Sequence, residues 1–226
     1  MSDETHTSDP EKSFRTAAIN ASTRGGSNID CVTLWNSLVA GRSIIADEFF
    51  TQERSFLAIR RESARQRNGL ATRNLEILER ILLGTEPKVV AYDRSLATST
   101  IACALRHALD TIGLHCIPSK VPLLLVRLVH AARSQAQIGP ICAVELEYGG
   151  ARYQILSCVT PEQQFAHVLS PAERSVMRMR VQGHSHREIA ARRRTSPRTV
   201  ANQVAAVFQR LGISGRSDLM GLLARC

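Results

Sequence analysis

The chain lacks the features that mark several large classes of protein. It has no run of about 18 apolar residues, so we expect no membrane-spanning helix. Its six cysteines include no CxxC pair, which argues against a zinc site or a disulfide framework. Aromatic residues make up only 4 %, too few for a surface on which the bases of single-stranded nucleic acid stack. The polar, acidic N-terminus does not resemble a signal peptide, and we expect a cytoplasmic protein with reduced thiols.

Catalytic motifs are also missing from the sequence. We find no nucleophile elbow, no glycine-rich phosphate loop and no HExxH pattern. The dipeptide Ser157-Cys158 has no recognisable base partner. We therefore expect that the protein is not an enzyme and that it holds no cofactor and no metal.

Positive charge is concentrated in the last quarter of the chain. The 226 residues carry a formal net charge of +9, which points to a polyanionic partner, with nucleic acid first. The segment 169–226 holds eleven arginines and three acidic residues, a balance of +8. The segment 70–116 holds five basic and five acidic residues. A polyanion site is therefore expected in the last quarter, although a basic face that serves only solubility would give the same count.

Residues that typically begin or end helices divide this last quarter into four predicted helices. Ser170 to Glu173 and Ser185 to Glu188 both read as capping boxes that begin a helix. Ser196-Pro197 begins a third helix, which Gly212 ends, and a fourth helix follows over 219–223. A short helix, a tight turn and a longer helix form a helix-turn-helix, whose second helix fits the major groove of DNA.

The tail LSPAERSVMRMRVQGHSHREIAARRRTSPRTVANQVAAVFQRLGIS resembles the LuxR-type, or GerE-like, DNA-binding domain. The matching positions are Leu169, Ser170, Glu173, Gly183, Ser185, Glu188, Ile189, Ala190, Ser196, Thr199, Val200, Leu211, Gly212 and Ile213. The resemblance implies that the third helix reads the major groove and that the fourth helix pairs two subunits.

Several positions depart from the family pattern. Ala201 and Gln203 stand where the family usually has Lys and His, while Arg193, Arg194 and Thr195 replace an apolar residue, the turn glycine and an Ile. Base reading would then depend on the remaining long polar side chains of the third helix. DNA affinity without base reading, and a domain that binds protein instead of DNA, both stay open.

Residues around the start of the third helix are the expected DNA contacts. Asn and Gln can contact adenine through two hydrogen bonds, and arginines at a helix N-terminus suit phosphate. The candidate DNA-binding residues are Arg187, Arg192, Arg194, Thr195, Ser196, Arg198, Thr199, Asn202, Gln203 and Arg210.

A shift of 99 residues lays the tail on segment 70–114 without a gap. Identical pairs are Leu70/Leu169, Gly84/Gly183, Ala91/Ala190, Arg94/Arg193, Thr100/Thr199, Ala102/Ala201 and Gly113/Gly212, and the apolar positions agree as well. We interpret segment 70–114 as a degenerate helix-turn-helix copy, with its fourth helix over 121–132. Alanines leave its third helix little with which to read bases.

A hairpin pattern precedes each copy. Strands are predicted at 44–50 and 54–59, and in the second hairpin Gly149-Gly150 forms a two-residue turn that sets Glu147 opposite Arg152. The expected fold is mainly α with small β-hairpins, an α+β class. It comprises two tandem modules, at 30–136 and 137–226, each a hairpin followed by a four-helix domain. Residues 1–29 are expected to form a disordered tail.

These patterns predict a DNA-binding transcriptional regulator of the LuxR family. The expected partners are double-stranded DNA, a second copy of the chain in a homodimer, and RNA polymerase, with no membrane, and the protein is expected to associate with the nucleoid. The alternative is an interaction protein that binds a partner regulator through both helix-turn-helix folds without reading DNA.

Overall fold

A computed structural model describes residues 10–23, 25–27, 29–62, 69–115, 121–133 and 141–225. The helices are α1 (Pro10–Thr23), α2 (Cys31–Val39), α3 (Thr72–Leu82), α4 (Pro87–Asp93), α5 (Thr98–Thr111), α6 (Leu123–Arg133), α7 (Pro161–Gln164), α8 (Pro171–Val181), α9 (His186–Arg193), α10 (Pro197–Leu211) and α11 (Arg216–Arg225). The strands are β1 (Ser43–Phe50), β2 (Arg54–Arg61), β3 (Cys142–Tyr148) and β4 (Ala151–Val159). The expected mixture of helices and hairpins, an α+β fold, is confirmed.

The four strands form one antiparallel sheet in the order β1-β2-β4-β3. The hairpin of β3 and β4 has the predicted register, with Glu147 opposite Arg152. Gly149 and Gly150 both have positive φ, 57° and 75°, as the predicted type I′ turn requires. The short turn and the alternation of apolar residues together explain why this register could be read from the sequence.

The two hairpins share the sheet because β2 pairs with β4. Leu57 lies opposite Leu156 at the middle of this pair, and both side chains are fully buried. Pairing satisfies backbone groups that two separate hairpins would each leave at an open edge. The sequence pattern predicts the two hairpins in separate modules, and nothing in it indicates that β2 pairs with β4. The predicted boundary between the modules, at 136/137, stays a prediction.

One face of the sheet carries the main hydrophobic core. Leu57, Leu156 and Cys158 point to this face and pack with residues of α2, α6 and α11. Helix α6 is buried along its length from Leu123 to His130 and contacts α2, α11 and the sheet. Trp35 of α2 is fully buried here. A sheet face and the helices α2 and α11 therefore meet around α6, which explains its apolar sequence LLLVRLV.

The opposite face of the sheet is covered by α1. Phe14 and Ala18 are buried against aromatic and aliphatic side chains of the sheet, and Phe14 lies edge-on to Tyr148 with ring centroids 5.3 Å apart. Arg15 forms two hydrogen bonds with the Asp47 carboxylate, at 2.8 and 2.9 Å. The prediction of a disordered tail over 1–29 is therefore wrong for residues 10–23, because burial of these side chains stabilises the helix. Residues 1–9 lie outside the described residues.

Membrane-spanning helices and metal clusters are both absent from the described ranges. No helix there is both long and apolar enough to cross a membrane. No group of three or more His, Cys, Asp or Glu side chains in those ranges is arranged to hold a metal ion.

The shared sheet predicts that both halves of the chain unfold together. Leu156→Ala should lower the free energy of unfolding by about 2–4 kcal/mol, because it opens a cavity in the core opposite Leu57. In urea titrations, the fluorescence of Trp35, the only tryptophan, should report the same lower midpoint as circular dichroism.

Val168→Ala, a change at a partly exposed residue, serves as the control and should shift the midpoint little. A Trp35 midpoint that Leu156→Ala leaves unchanged would show that the two hairpins unfold independently, and would contradict the shared core.

Candidate nucleic-acid interface

Helices α8, α9 and α10 pack around a small core of their own. Both predicted capping boxes are present, at Ser170/Glu173 and Ser185/Glu188, and they begin α8 and α9. The core side chains are Val176, Met179, Ile189, Ala190, Val200 and Val204, with Phe208 packed against them. These apolar positions come from three helices, so the packing holds α10 across α8 and α9 with its other face in solvent.

The turn between α9 and α10 contains a residue in the left-handed conformation. Arg194 has φ 51° and ψ 49°, and its backbone N–H donates to the Ala190 and Ala191 carbonyls. Glycine adopts this conformation without cost, whereas other residues are strained by about 1 kcal/mol or more. The turn places the Arg194 side chain, which is exposed, next to the start of α10.

Polar residues cap the N-terminus of α10. The Ser196 hydroxyl accepts a hydrogen bond from the Thr199 backbone N–H at 3.0 Å, and the two hydroxyls are 2.9 Å apart. Pro197 occupies the first turn, where its missing N–H costs nothing. Thr195 is half-buried beside them. The end of α10 is thus a polar helix N-terminus of the kind that favours an anion.

Four candidate arginines lie on α9, in the turn after it and in the first turn of α10. Arg187, Arg192, Arg194 and Arg198 are all exposed. None of them forms an ion pair with another residue of the described part of the chain. Their charges are therefore available to a polyanion in solution.

The two candidate base-reading amides of α10 differ in their exposure. Asn202 is exposed, and its side chain points to solvent. Gln203 is half-buried, and its Oε1 accepts a hydrogen bond from Arg193 Nη1 at 3.0 Å. The same Arg193 nitrogen donates to the Ala172 carbonyl at 3.2 Å. Arg193 therefore connects α8, α9 and α10, and Gln203 is held at the helix junction.

Sequence reasoning did not predict the role of Arg193. In the sequence it stands out only as an arginine in place of an apolar family residue. A signal was present, because Gln203, another of the departures, lies where an arginine from α9 can reach it. The two substitutions are complementary: a polar side chain in each position satisfies the other.

Arg210, the last candidate, lies near the C-terminus of α10. Its Nη1 is 2.8 Å from Glu173 Oε2. Hydrogen bonds from the Ser170 hydroxyl and backbone hold the pKa of Glu173 below its usual range, and Arg210 adds to this effect. Arg210 therefore links α10 to the capping box of α8, and part of its hydrogen-bonding capacity is used inside the domain.

Basic residues in the α3–α5 region are paired differently. Arg80 forms an ion pair with Asp93, Arg94 with Glu76, and Arg133 of α6 with Glu79. Glu79 also accepts a hydrogen bond from the Trp35 indole N–H at 2.6 Å. These carboxylates neutralise the arginines locally, in agreement with the balanced charge of the segment. Two exposed arginines of this region, Arg73 and Arg106, stand outside these pairs. The α8–α10 region differs in its charge balance, because its arginines greatly outnumber its carboxylates.

Comparison with protein families identifies the last region. The model of the bacterial regulatory proteins of the luxR family, GerE, matches residues 167–223, which span α8 to α10 and most of α11. The comparisons with curated proteins and with solved structures found no match. Residues 167–223, about a quarter of the chain, are thus a GerE domain of the helix-turn-helix type, from a family of transcription regulators.

The left-handed conformation of Arg194 predicts that its replacement by glycine raises stability while it weakens DNA binding. Arg194→Gly should raise the free energy of unfolding by up to about 1 kcal/mol, because glycine adopts positive φ without strain. Thermal and urea unfolding of the full chain would measure this change. The same variant should bind duplex DNA more weakly, because it loses one exposed cation.

Ser95 provides a matched control. It also has φ 51°, at the end of α4, and it carries no charge. Ser95→Gly should give a similar gain in stability with unchanged DNA binding. A loss of stability in both variants would show that relief of the positive φ does not decide the stability of these turns.

Proposed function

We propose that the chain is a transcriptional regulator that binds duplex DNA through its GerE domain, with α10 in the major groove. The observation that carries this proposal is the juxtaposition, within a recognised GerE domain, of a capped α10 N-terminus and four exposed arginines without ion pairs. A polar helix end and exposed cations in the same domain are features that hold a phosphate backbone.

The proposed contacts divide into two kinds. Arg187, Arg192, Arg194 and Arg198 hold phosphates, because they are exposed cations without ion pairs among the described residues. Asn202 faces the bases, because it is the exposed amide in the early part of α10. In the proposed interface, Ser196, Thr195 and Thr199 lie at the phosphate backbone, and Gln203 and Arg210 contribute less because each already holds a partner within the domain.

We further propose that α3–α6 is a degenerate copy of the same four-helix domain. Helices α3, α4 and α5 each begin 99 residues before α8, α9 and α10. Residues with positive φ recur at the same interval. They are Gly84, Ser95 and Gly113 in the first region and Gly183, Arg194 and Gly212 in the second.

Core residues support the same proposal. The small cluster Ile77, Val90, Ala91 and Ile101 corresponds at this interval to Val176, Ile189, Ala190 and Val200. Backbone turns and core side chains are different constraints, and both repeat with one spacing. Because its basic and acidic residues are equal in number and Arg80 and Arg94 are in ion pairs, the first copy has little net charge for DNA, and we assign it an architectural role.

The proposed assembly includes RNA polymerase and a second copy of the chain, in association with the nucleoid. Within the chain, α11 packs on α6, and Leu219, Leu223 and Ala224 are buried there. The fourth helices of the two proposed copies therefore contact one another inside one chain. A homodimer would use a different surface, because the apolar face of α11 is already covered.

The first functional prediction concerns phosphate contacts. The full-length protein should bind a random-sequence duplex, and its affinity should fall steeply between 50 and 300 mM KCl in fluorescence polarisation, by roughly 0.9 in log–log slope for each phosphate neutralised. Arg198→Ala should weaken binding and reduce the slope by about one. Arg106→Ala, which removes an exposed arginine of α5, is the matched control and should change neither.

Absence of binding at 50 mM KCl would contradict the DNA proposal. It would favour instead a protein that binds a partner regulator through its helix-turn-helix surfaces.

The second functional prediction concerns base reading. Asn202→Ala should cost about 1–3 kcal/mol on a duplex selected from a random pool and little on random DNA. Cys103→Ala is the matched control, since Cys103 is exposed on α5 at the corresponding position, 99 residues earlier. An equal effect of Asn202→Ala on both duplexes, or none on either, would mean that α10 binds DNA without reading it.

A further inference from the structure

A cavity of about 390 Å³ lies between the sheet and the GerE domain. Its wall is formed by the β1–β2 hairpin, by the beginning of α6, and by α8 and α9. A more open groove of about 630 Å³ shares several of these residues and leads past Arg192 and Arg193 to solvent. The volume falls in the range of about 300–1,000 Å³ that is usual for small-molecule sites.

The lining combines apolar surface with a few polar groups. Phe50 of β1, Leu123 of α6 and Val181 of α8 contribute apolar side chains. Glu48 borders the cavity from the sheet, and Arg178 and Arg192 border it from the helices. Such a lining suits a molecule with an apolar body and polar groups at two ends.

The positive charges favour an anionic group on the helix side. Arg192 is exposed and has no ion pair among the described residues. One turn beyond Leu123, Arg127 is almost fully buried beside Cys158, and its Nε and Nη2 have no hydrogen-bond partner in the described part of the chain. Arg127 is not part of the cavity lining, and the second positive charge at the wall is that of Arg178.

Glu48 supplies a different polar group on the sheet side. Its carboxyl is half-buried and forms no ion pair within the described ranges. Burial and the neighbouring Asp47 raise the pKa of Glu48 to about 7. A carboxyl with a pKa near 7 is partly protonated at neutral pH. It can therefore donate a hydrogen bond to a hydroxyl or amide group, or accept one from it.

We propose that this cavity binds a small organic acid, with its carboxylate at Arg192, its apolar body against Phe50 and Leu123, and a hydroxyl or amide group at Glu48. The proposal extends to regulation, and this part rests on the proposed function. Arg192 belongs both to the cavity and to the proposed phosphate contacts. An acid that holds Arg192 removes one cation from the phosphate contacts, so acid and DNA compete, and each lowers the affinity of the other.

The ligand part is tested on the full-length protein without DNA. The probes are 4-hydroxyphenylacetate and indole-3-acetate, each compared with its neutral amide. At ten times its dissociation constant, a bound acid should raise the thermal unfolding midpoint by about 3–5 °C. The amides should raise it much less. No shift with either acid at 10 mM, or equal shifts with acids and amides, would overturn the proposal.

Three variants locate the binding site. Arg192→Gln should weaken binding of 4-hydroxyphenylacetate at least tenfold in calorimetry, whereas Arg187→Gln, on the same helix but outside the cavity, should not. Glu48→Gln should weaken it less than Arg192→Gln does, because a neutral amide still forms a hydrogen bond. Equal effects of Arg192→Gln and Arg187→Gln would mean that the acids bind to the basic surface in general.

A final experiment tests the competition. 4-Hydroxyphenylacetate should lower the affinity of the wild type and of Arg187→Gln for a random duplex, and should have no such effect on Arg192→Gln. Undiminished DNA binding by wild-type protein saturated with the acid would refute the competition and leave the cavity site intact. If the protein bound no DNA at all, the proposed function would fail while the thermal shifts would still decide the ligand site.

Discussion

The pairing of β2 with β4 is the contact on which the rest of the structure depends. It joins two hairpins that are almost 100 residues apart in sequence, and it creates a sheet wide enough to be covered on both faces. Helix α6 packs on one face and α1 on the other. Without this pairing each hairpin would have two strands and one apolar face, a unit that is marginal in water.

Helix α6 connects the sheet to the GerE domain, because it packs against both the sheet and α11. Its buried surface is shared by α2, the sheet and α11, so the last helix of the chain is attached to the centre of the fold. The cavity lies where the GerE domain meets the hairpin of β1 and β2. Its position follows from this packing, because α8 and α9 are held near the sheet and leave an unfilled space between them.

Two regions with similar helix lengths differ in their charges. In α3–α5, carboxylates pair with Arg80 and Arg94, and the Glu79 carboxylate is shared by Trp35 and Arg133. In α8–α10, the four exposed candidate arginines have no such carboxylates within the described residues, and Arg193 uses Gln203 instead. The same backbone plan can thus present a neutral surface or a cationic one, depending on a few side chains.

Local signals in the sequence determined most of the helices, the capping boxes of α8 and α9, the two hairpins and the register of the second one, because capping, turn and alternation rules act within a few residues. They also identified the GerE domain and the exposed positions of Arg198 and Asn202. The tertiary structure alone decided three things: that the hairpins share a sheet, that α1 is an ordered helix, and that Gln203 and Arg210 have partners inside the domain. Each of these depends on contacts between residues distant in sequence, or on which of several neighbours a long side chain reaches, and neither is encoded in a local pattern.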